Sequence, residues 1–204
     1  MRFRRKLAML VVASLATTAL AVVGFGTAAN ADTPNGDLRP VSGSIGGIFT
    51  NFKCLDLRRE DGFNNPNARF QQWDCTGDNQ QQFHAHPYFH LYGNRWLYQL
   101  VNLRSGMCME IRDGLTTTGA QVDQFPCATS GVVDSGTSRQ LWLESRFNGT
   151  AVFEVQPWSN TAMCLDVRNA ENNNGVKIEQ APCNFTGAQR WYGAAMVDDG
   201  TVVD

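Results

Sequence analysis

Six cysteines carry the most legible chemistry of this chain, because they recur in register. Cys54 stands 21 residues before Cys75, Cys108 stands 19 before Cys127, and Cys164 stands 19 before Cys183. Each first cysteine opens a similar word: CLDLR at 54–58, CMEIR at 108–112 and CLDVR at 164–168. An acid (Asp56, Glu110, Asp166) therefore follows each first cysteine by two residues, and a glutamine (Gln72, Gln124, Gln180) precedes each second one by three. A third word comes next: Gln81-Gln82-Phe83, Gln140-Leu141-Trp142 and Gln189-Arg190-Trp191. An even number of regularly spaced thiols in an exported chain reads as disulfides. Six cysteines allow 15 connectivities. Equivalent units should close equivalent loops, which selects Cys54–Cys75, Cys108–Cys127 and Cys164–Cys183. Each loop of about 20 residues then contributes ~3 kcal/mol in the chain-entropy picture. Zinc would instead need a C-x₂₋₄-C spacing with neighbouring ligands, and the chain has none.

Other reactive constellations lead nowhere. His84, His86 and His90 are the only histidines, and on a strand the first two would share a face. Pro87 interrupts the run and no carboxylate lies within it, so neither a metal nor any other cofactor is expected. Glycoside hydrolysis requires two carboxylates at a defined separation in a cleft. The chain holds 19 acidic residues, none in a recognisable catalytic context. It has no Gly-x-Ser-x-Gly elbow, no glycine loop for phosphate and no cysteine left over as a nucleophile. Catalysis is not expected.

These residues have to be positioned by something, and the ends of the chain bound what that is. Arg2, Arg4, Arg5 and Lys6 precede an Ala/Leu/Val-rich run from Leu7 to about Gly26, and Ala29-Asn30-Ala31 follows as a small-x-small cleavage box. That is the pattern of a secretory signal cleaved after Ala31, with an uncleaved anchor as the alternative. Four of the 17 basic residues lie in that segment, so residues 32–204 carry 13 basic and 19 acidic residues, a formal net charge of −6. Nucleic acid and, after cleavage, a membrane are poor partners for a chain without a Lys/Arg cluster. Oligomeric state leaves no mark on the sequence.

Residues 32–44, with Pro34, Gly36, Pro40 and Gly43, read as a loose leader, and 196–204 as a frayed acidic tail. Between them, residues 45–195 show no helical period. Short runs such as Tyr98-Gln-Leu-Val and Phe153-Glu-Val alternate as half-buried strands do. Gly93-Asn94 and Asn148-Gly149 supply hairpin turns at matching points. The middle unit holds seven extra residues after its second cysteine, in a Ser/Gly/Thr-rich stretch (128–138) suited to a surface loop. Three such units, near 45–95, 96–150 and 151–195, each too small to enclose a core, bury one together. The expected fold is an all-β, barrel-like domain with pseudo-threefold symmetry.

The threefold Cys-x-Asp…Cys…Gln-x-Trp pattern resembles the ricin-type β-trefoil lectins and the related carbohydrate-binding modules of secreted polysaccharide-degrading enzymes. Leu100-Val-Asn102 before Ser-Gly-Met-Cys-Met-Glu fits the start of a repeat in that family. The resemblance covers about residues 45–193. It implies a β-trefoil with up to three shallow sugar sites, whose aromatics Phe83, Trp142 and Trp191 are core residues. It further implies that Gln81, Gln140 and Gln189 tie loops together and stand at the sugar sites.

In the family, sugar contacts come from four positions in each repeat. They are the acid two after the first cysteine, the aromatic two before the second, the amide four before it, and the residue just before the Gln-x-Trp glutamine. A carboxylate accepts charge-assisted hydrogen bonds from adjacent hydroxyls, and an aromatic face covers the apolar face of the ring. An amide fixes orientation. The first repeat keeps everything: Asp56, Gln71 and Trp73, with Gln80 where the family prefers Asn, and Gln81 joins them as a site residue. In the second, Glu110, Phe125 and Gln140 form a weaker set, because Asp123 replaces the amide and Arg139 the Asn. The third keeps Asp166 and Gln189 but has Glu179, Ala181 and Ala188 elsewhere, so it lacks a stacking ring unless Trp158 or Phe185 reaches over. The implied protein is a secreted, non-catalytic lectin whose partners are glycans or polysaccharide. A protein-binding trefoil of the inhibitor or toxin-subunit type, or a small glycan hydrolase, is the alternative.

Overall fold

The computed structural model describes residues 36–37, 39–40, 53–92, 95–146 and 152–192. The chain divides after Ala31 into two units, and all described residues lie in the second. The signal segment, the acidic tail and both hairpin-turn dipeptides fall outside the described residues.

Three hairpins repeat one register. The first joins β3 (Lys53–Leu57) to β4 (Phe70–Asp74), the second β7 (Cys108–Ile111) to β8 (Val122–Phe125), and the third β11 (Met163–Val167) to β12 (Val176–Pro182). In each, the first cysteine faces the residue two before its partner: Cys54 opposite Trp73, Cys108 opposite Phe125, Cys164 opposite Ala181. The acid faces the amide position: Asp56 opposite Gln71, Glu110 opposite Asp123, Asp166 opposite Glu179. Disulfides close within each lobe, Cys54–Cys75, Cys108–Cys127 and Cys164–Cys183, with Cα separations of 5.1, 5.0 and 5.0 Å. The fold is a β-trefoil with pseudo-threefold symmetry.

A second layer is a sheet of strands. It contains β1 (Gly36–Asp37), β2 (Arg39–Pro40), β5 (Gln82–Leu91), β6 (Arg95–Asn102), β9 (Trp142–Arg146), β10 (Val152–Pro157) and β13 (Trp191–Tyr192). The pairing runs β1-β5-β6-β9-β10-β13-β2, so the short strands β1 and β2 lie on the outer edges of β5 and β13. Residues 36–37 and 39–40, within the stretch read from the sequence as a loose leader, pair there as strands. Without residues 36–40, β5 and β13 would present open edges whose backbone groups need partners. The segment supplies them despite its Gly and Pro, which strand ends tolerate.

The core lies between the hairpins and this sheet. Leu55, Phe70, Met109, Ile111, Trp142, Phe153, Leu165, Ile178 and Trp191 are sealed in one cluster. The Trp142 and Trp191 indoles donate Nε1–H to the carbonyls of Met109 (3.0 Å) and Leu165 (3.1 Å). Phe83 occupies the matching place in the first lobe and is buried as expected. Gln72, Gln124 and Gln180, whose recurrence had no assigned role, prove to be stitches between lobes. The Gln124 amide donates to the carbonyls of Phe63 and Asn65, both at 2.8 Å, and Gln180 donates to Leu115 and Thr117 at 2.8 and 2.9 Å. Gln72 closes the circle on Glu171 and Asn173 of the third lobe, at 2.5 and 3.0 Å.

The 128–138 stretch is more ordered than a plain surface loop. Asp134 caps the single-turn helix α1 (Ser135–Ser138) by accepting from the Gly136 and Thr137 amides, both at 2.8 Å. Val133 and Trp158 pack there on a small satellite cluster of Leu97, Leu141 and Leu143.

Candidate functional site

The first lobe assembles its polar residues from three elements. Strand β3 presents Asp56, β4 presents Gln71 and Trp73, and a 3₁₀ turn at Asn79–Gln81 brings Gln80 and Gln81 alongside. Asp56 is 4% exposed. Its Oδ1 accepts from Gln71 Nε2 and its Oδ2 from Gln81 Nε2, each at 2.9 Å. Each carboxylate oxygen can accept twice, so the two amides fix the group without exhausting it. Burial pushes the Asp56 carboxyl up from its ordinary 3.8, against the pull of the two amides. Trp73 is half-buried beside it, with part of its surface open to solvent.

Gln81, Gln140 and Gln189 are fully buried, and each does the same three things. Gln81 holds Asp56, donates to the Asp74 carbonyl (2.9 Å) and accepts from the Thr76 amide (2.7 Å). Gln140 holds Glu110, the Pro126 carbonyl and the Ala128 amide; Gln189 holds Asp166, the Pro182 carbonyl and the Asn184 amide. They therefore position the acids from behind and present no surface to a ligand. Gln80 turns its amide to Asp78 Oδ2 at 3.2 Å rather than toward Asp56.

The third lobe packs against the first-lobe residues through Gly175, a contact that sequence reasoning missed. A Cβ built on Gly175 would lie 3.9 Å from both Gln71 Oε1 and Trp73 Cζ3, and its φ of +85° demands glycine. Next to it, Asn174 donates to Asp74 Oδ2 (2.8 Å) and accepts from Lys53 Nζ (2.9 Å), while Lys53 also pairs with Asp74. Residues 100 apart in the chain leave no local signal of such a contact.

In the second lobe two carboxylates face each other. Glu110 takes Gln140 at 2.9 Å and an ion pair from Arg139 at 3.2 Å, and Asp123 takes Arg112. Burial drives Asp123 up to about 6 even though Arg112 pulls it down. The third lobe also opposes two acids. Lys177 stands 3.0 Å from Glu179, whereas among the described residues Asp166 takes a hydrogen bond from Gln189 and has no cation paired with it. Burial therefore raises Asp166 to about 6, with Glu179 adding to the rise. Trp158 is committed to the satellite cluster, and Phe185 is 61% exposed with φ 60°. His84 and His86 share an exposed face, their ring centroids 6.3 Å apart, whereas His90 lies against Trp96 at 4.6 Å.

The Asp166 shift has a measurable sign. Its folded pKa near 6 lies above the ordinary 3.8, so the folded state holds the proton more tightly between those values. The cost of a charged Asp166 is absent below about pH 4, grows through that window and is complete above pH 6. Asp166→Asn keeps an acceptor for Gln189 and removes the charge. It is expected to raise stability by about 1–3 kcal/mol at pH 7–8 and to change nothing at pH 4, read by thermal melts across pH.

Three hairpins over a sheet, each with an acid held by a buried glutamine, define a β-trefoil of the lectin-like class. The model of the ricin-type beta-trefoil lectin domain-like family matches residues 50–125 and 88–181, and the chain belongs to that family. No curated protein matches the sequence. Among solved structures, the designed three-fold symmetric protein ThreeFoil is similar at TM-score 0.63 and 21% identity, over 80% of this chain and 99% of that one. An exo-beta-1,3-galactanase from Clostridium thermocellum is similar at TM-score 0.60 and 20% identity, over 79% of this chain but only 30% of that one. The Rhizoctonia solani agglutinin matches at TM-score 0.57 and 16% identity, over 78% and 92%. Likeness at these identities speaks for the shared fold.

Proposed function

We propose that this chain is an exported, non-catalytic carbohydrate-binding protein that grips glycans or polysaccharide chiefly through its first lobe. The observation that carries the reading is Asp56, a buried carboxylate fixed by two amides at 2.9 Å beside a half-exposed Trp73. That combination offers acceptors for adjacent hydroxyls and an aromatic face for the apolar side of a pyranose ring. Family membership and the agglutinin among the similar structures support it. Three disulfides and the signal pattern of residues 1–31 support export. The non-catalytic reading is supported by the acids of the second lobe, which are buried and ion-paired rather than disposed about an open cleft.

A glycan array identifies the sugar, and Asp56→Asn then tests the site. The substitution removes a charge and sets an amide nitrogen against the Gln71 or Gln81 donors. Each charge-assisted bond contributes about 1.5–3 kcal/mol, so affinity is expected to fall by at least ~10-fold. In the parent protein, binding should weaken on acidification at a higher pH than a free aspartate would require, because burial raises Asp56. An Asp56→Asn protein that binds the array hit as well as the parent does would end this reading.

A further inference from the structure

The second lobe repeats the pocket of the first in the same register, with Glu110 for Asp56 and Phe125 for Trp73. Its two working surfaces are already covered by one side chain. The Arg139 guanidinium carbon lies 4.9 Å from the centroid of the Phe125 ring, and Arg139 Nε lies 3.2 Å from Glu110 Oε2. An aromatic face and a carboxylate are what a pyranose would use; the guanidinium stacks on the first and neutralises the second by charge proximity, although Arg139 Nε makes no hydrogen bond among the described residues.

Arg139 is also held from both ends. Its carbonyl accepts from the Ile111 amide at 2.9 Å, which fixes the backbone beside Glu110. Its charge compensates Glu110, which faces a second acid, Asp123, across the hairpin. Asp123 pairs with Arg112 through Oδ2, while its buried Oδ1 has no hydrogen-bond partner among the described residues. A neutral sugar entering this pocket must expel Arg139 and leave Glu110 uncompensated. The equivalent residues of the other lobes, Gln80 and Ala188, carry no charge.

We propose that Arg139 is a tethered occupant of the second-lobe pocket and that it leaves the protein with one working site for neutral sugars. The inference rests on the first-lobe reading above. A tethered group acts at an effective concentration of roughly millimolar or more. A shallow sugar site binds its free ligand with a Kd of roughly 0.1–1 mM. The sugar must therefore displace a group that is always present at the surfaces it would use, and its apparent affinity there falls by the fraction of time Arg139 occupies them.

The test is calorimetric titration of the whole protein with lactose and with xylotriose. The parent should bind whichever of the two it accepts at one site, and Arg139→Asn should bind it at two. Retention of Arg139→Asn on the matching immobilised polysaccharide should rise on the order of 100-fold through bivalency. In a Trp73→Ala background that binds nothing, adding Arg139→Asn should restore one site, and further adding Phe125→Ala should remove it. Arg139→Gln, which keeps much of the stem but no charge, serves as the second variant if Arg139→Asn fails to fold. A folded Arg139 variant that keeps a single site, with no restored site in the Trp73→Ala background, overturns the proposal. Undiminished binding by Trp73→Ala alone would instead fault the first-lobe reading.

Discussion

Trp142→Ala should lower the melting temperature by about 10–20 °C. The indole is completely buried in the shared core, among residues of all three lobes. Removing so large a side chain from a packed interior costs about 3–5 kcal/mol. The Met109 carbonyl also loses the indole donor at 3.0 Å, and an unsatisfied buried acceptor adds about 1–3 kcal/mol. For a domain of this size each kcal/mol shifts the midpoint by about 2–4 °C. Trp142→Phe should be far milder, because Phe83 fills the matching place in the first lobe. Calorimetric melts of the two variants decide the matter, and a shift under 3 °C for the alanine variant would contradict this account of the core.

Trp73→Ala should abolish retention on the cognate polysaccharide while leaving the fold nearly unchanged. Trp73 is an aromatic at the hairpin position opposite a first cysteine, but unlike the core tryptophans it is only half-buried. Loss of a stacking face removes about 0.5–1.5 kcal/mol of binding on top of the lost contact area. For a shallow site of about 0.1–1 mM, that carries the dissociation constant past the range a column retains. The same truncation should cost about 1 kcal/mol of stability or less, a shift of about 2–4 °C. Affinity chromatography beside thermal melts separates the two effects. Intact retention, or a collapse in stability comparable to that of Trp142→Ala, would show that the ring serves the fold rather than the ligand.

Position relative to the cysteines does not by itself tell these two tryptophans apart. Trp73 is two residues before a cysteine and Trp142 two after a glutamine; the family resemblance implies a stacking role for the first and a core role for the second, and their burial separates them, Trp73 half-buried and Trp142 sealed inside. The three glutamines of the third word make the same point in reverse. Their recurrence marked them as important and the family pattern placed them at the sugar sites. Their burial shows that they act on the acids from behind. Gln72, Gln124 and Gln180 were visible as a repeat, but a donor that reaches a carbonyl about 60 to 100 residues away has no local signature.

Chain order and composition determined the threefold plan, the disulfide pairs, the core aromatics and the acid-plus-ring pattern. The threefold plan and the disulfide pairs follow from periodic spacing, a property of the linear chain, whereas the core aromatics and the acid-plus-ring pattern are what the family resemblance of the repeated words implies. Tertiary structure decided three things. Residues 36–37 and 39–40 pair with the edges of β5 and β13, Gly175 of the third lobe lies against Gln71 and Trp73, and Arg139 lies across Phe125 and Glu110. Each is a contact between segments brought together only when the lobes pack. Edge pairing depends on which backbone meets an open edge, and pocket occupancy depends on where a long charged side chain finds both a face and a counter-charge.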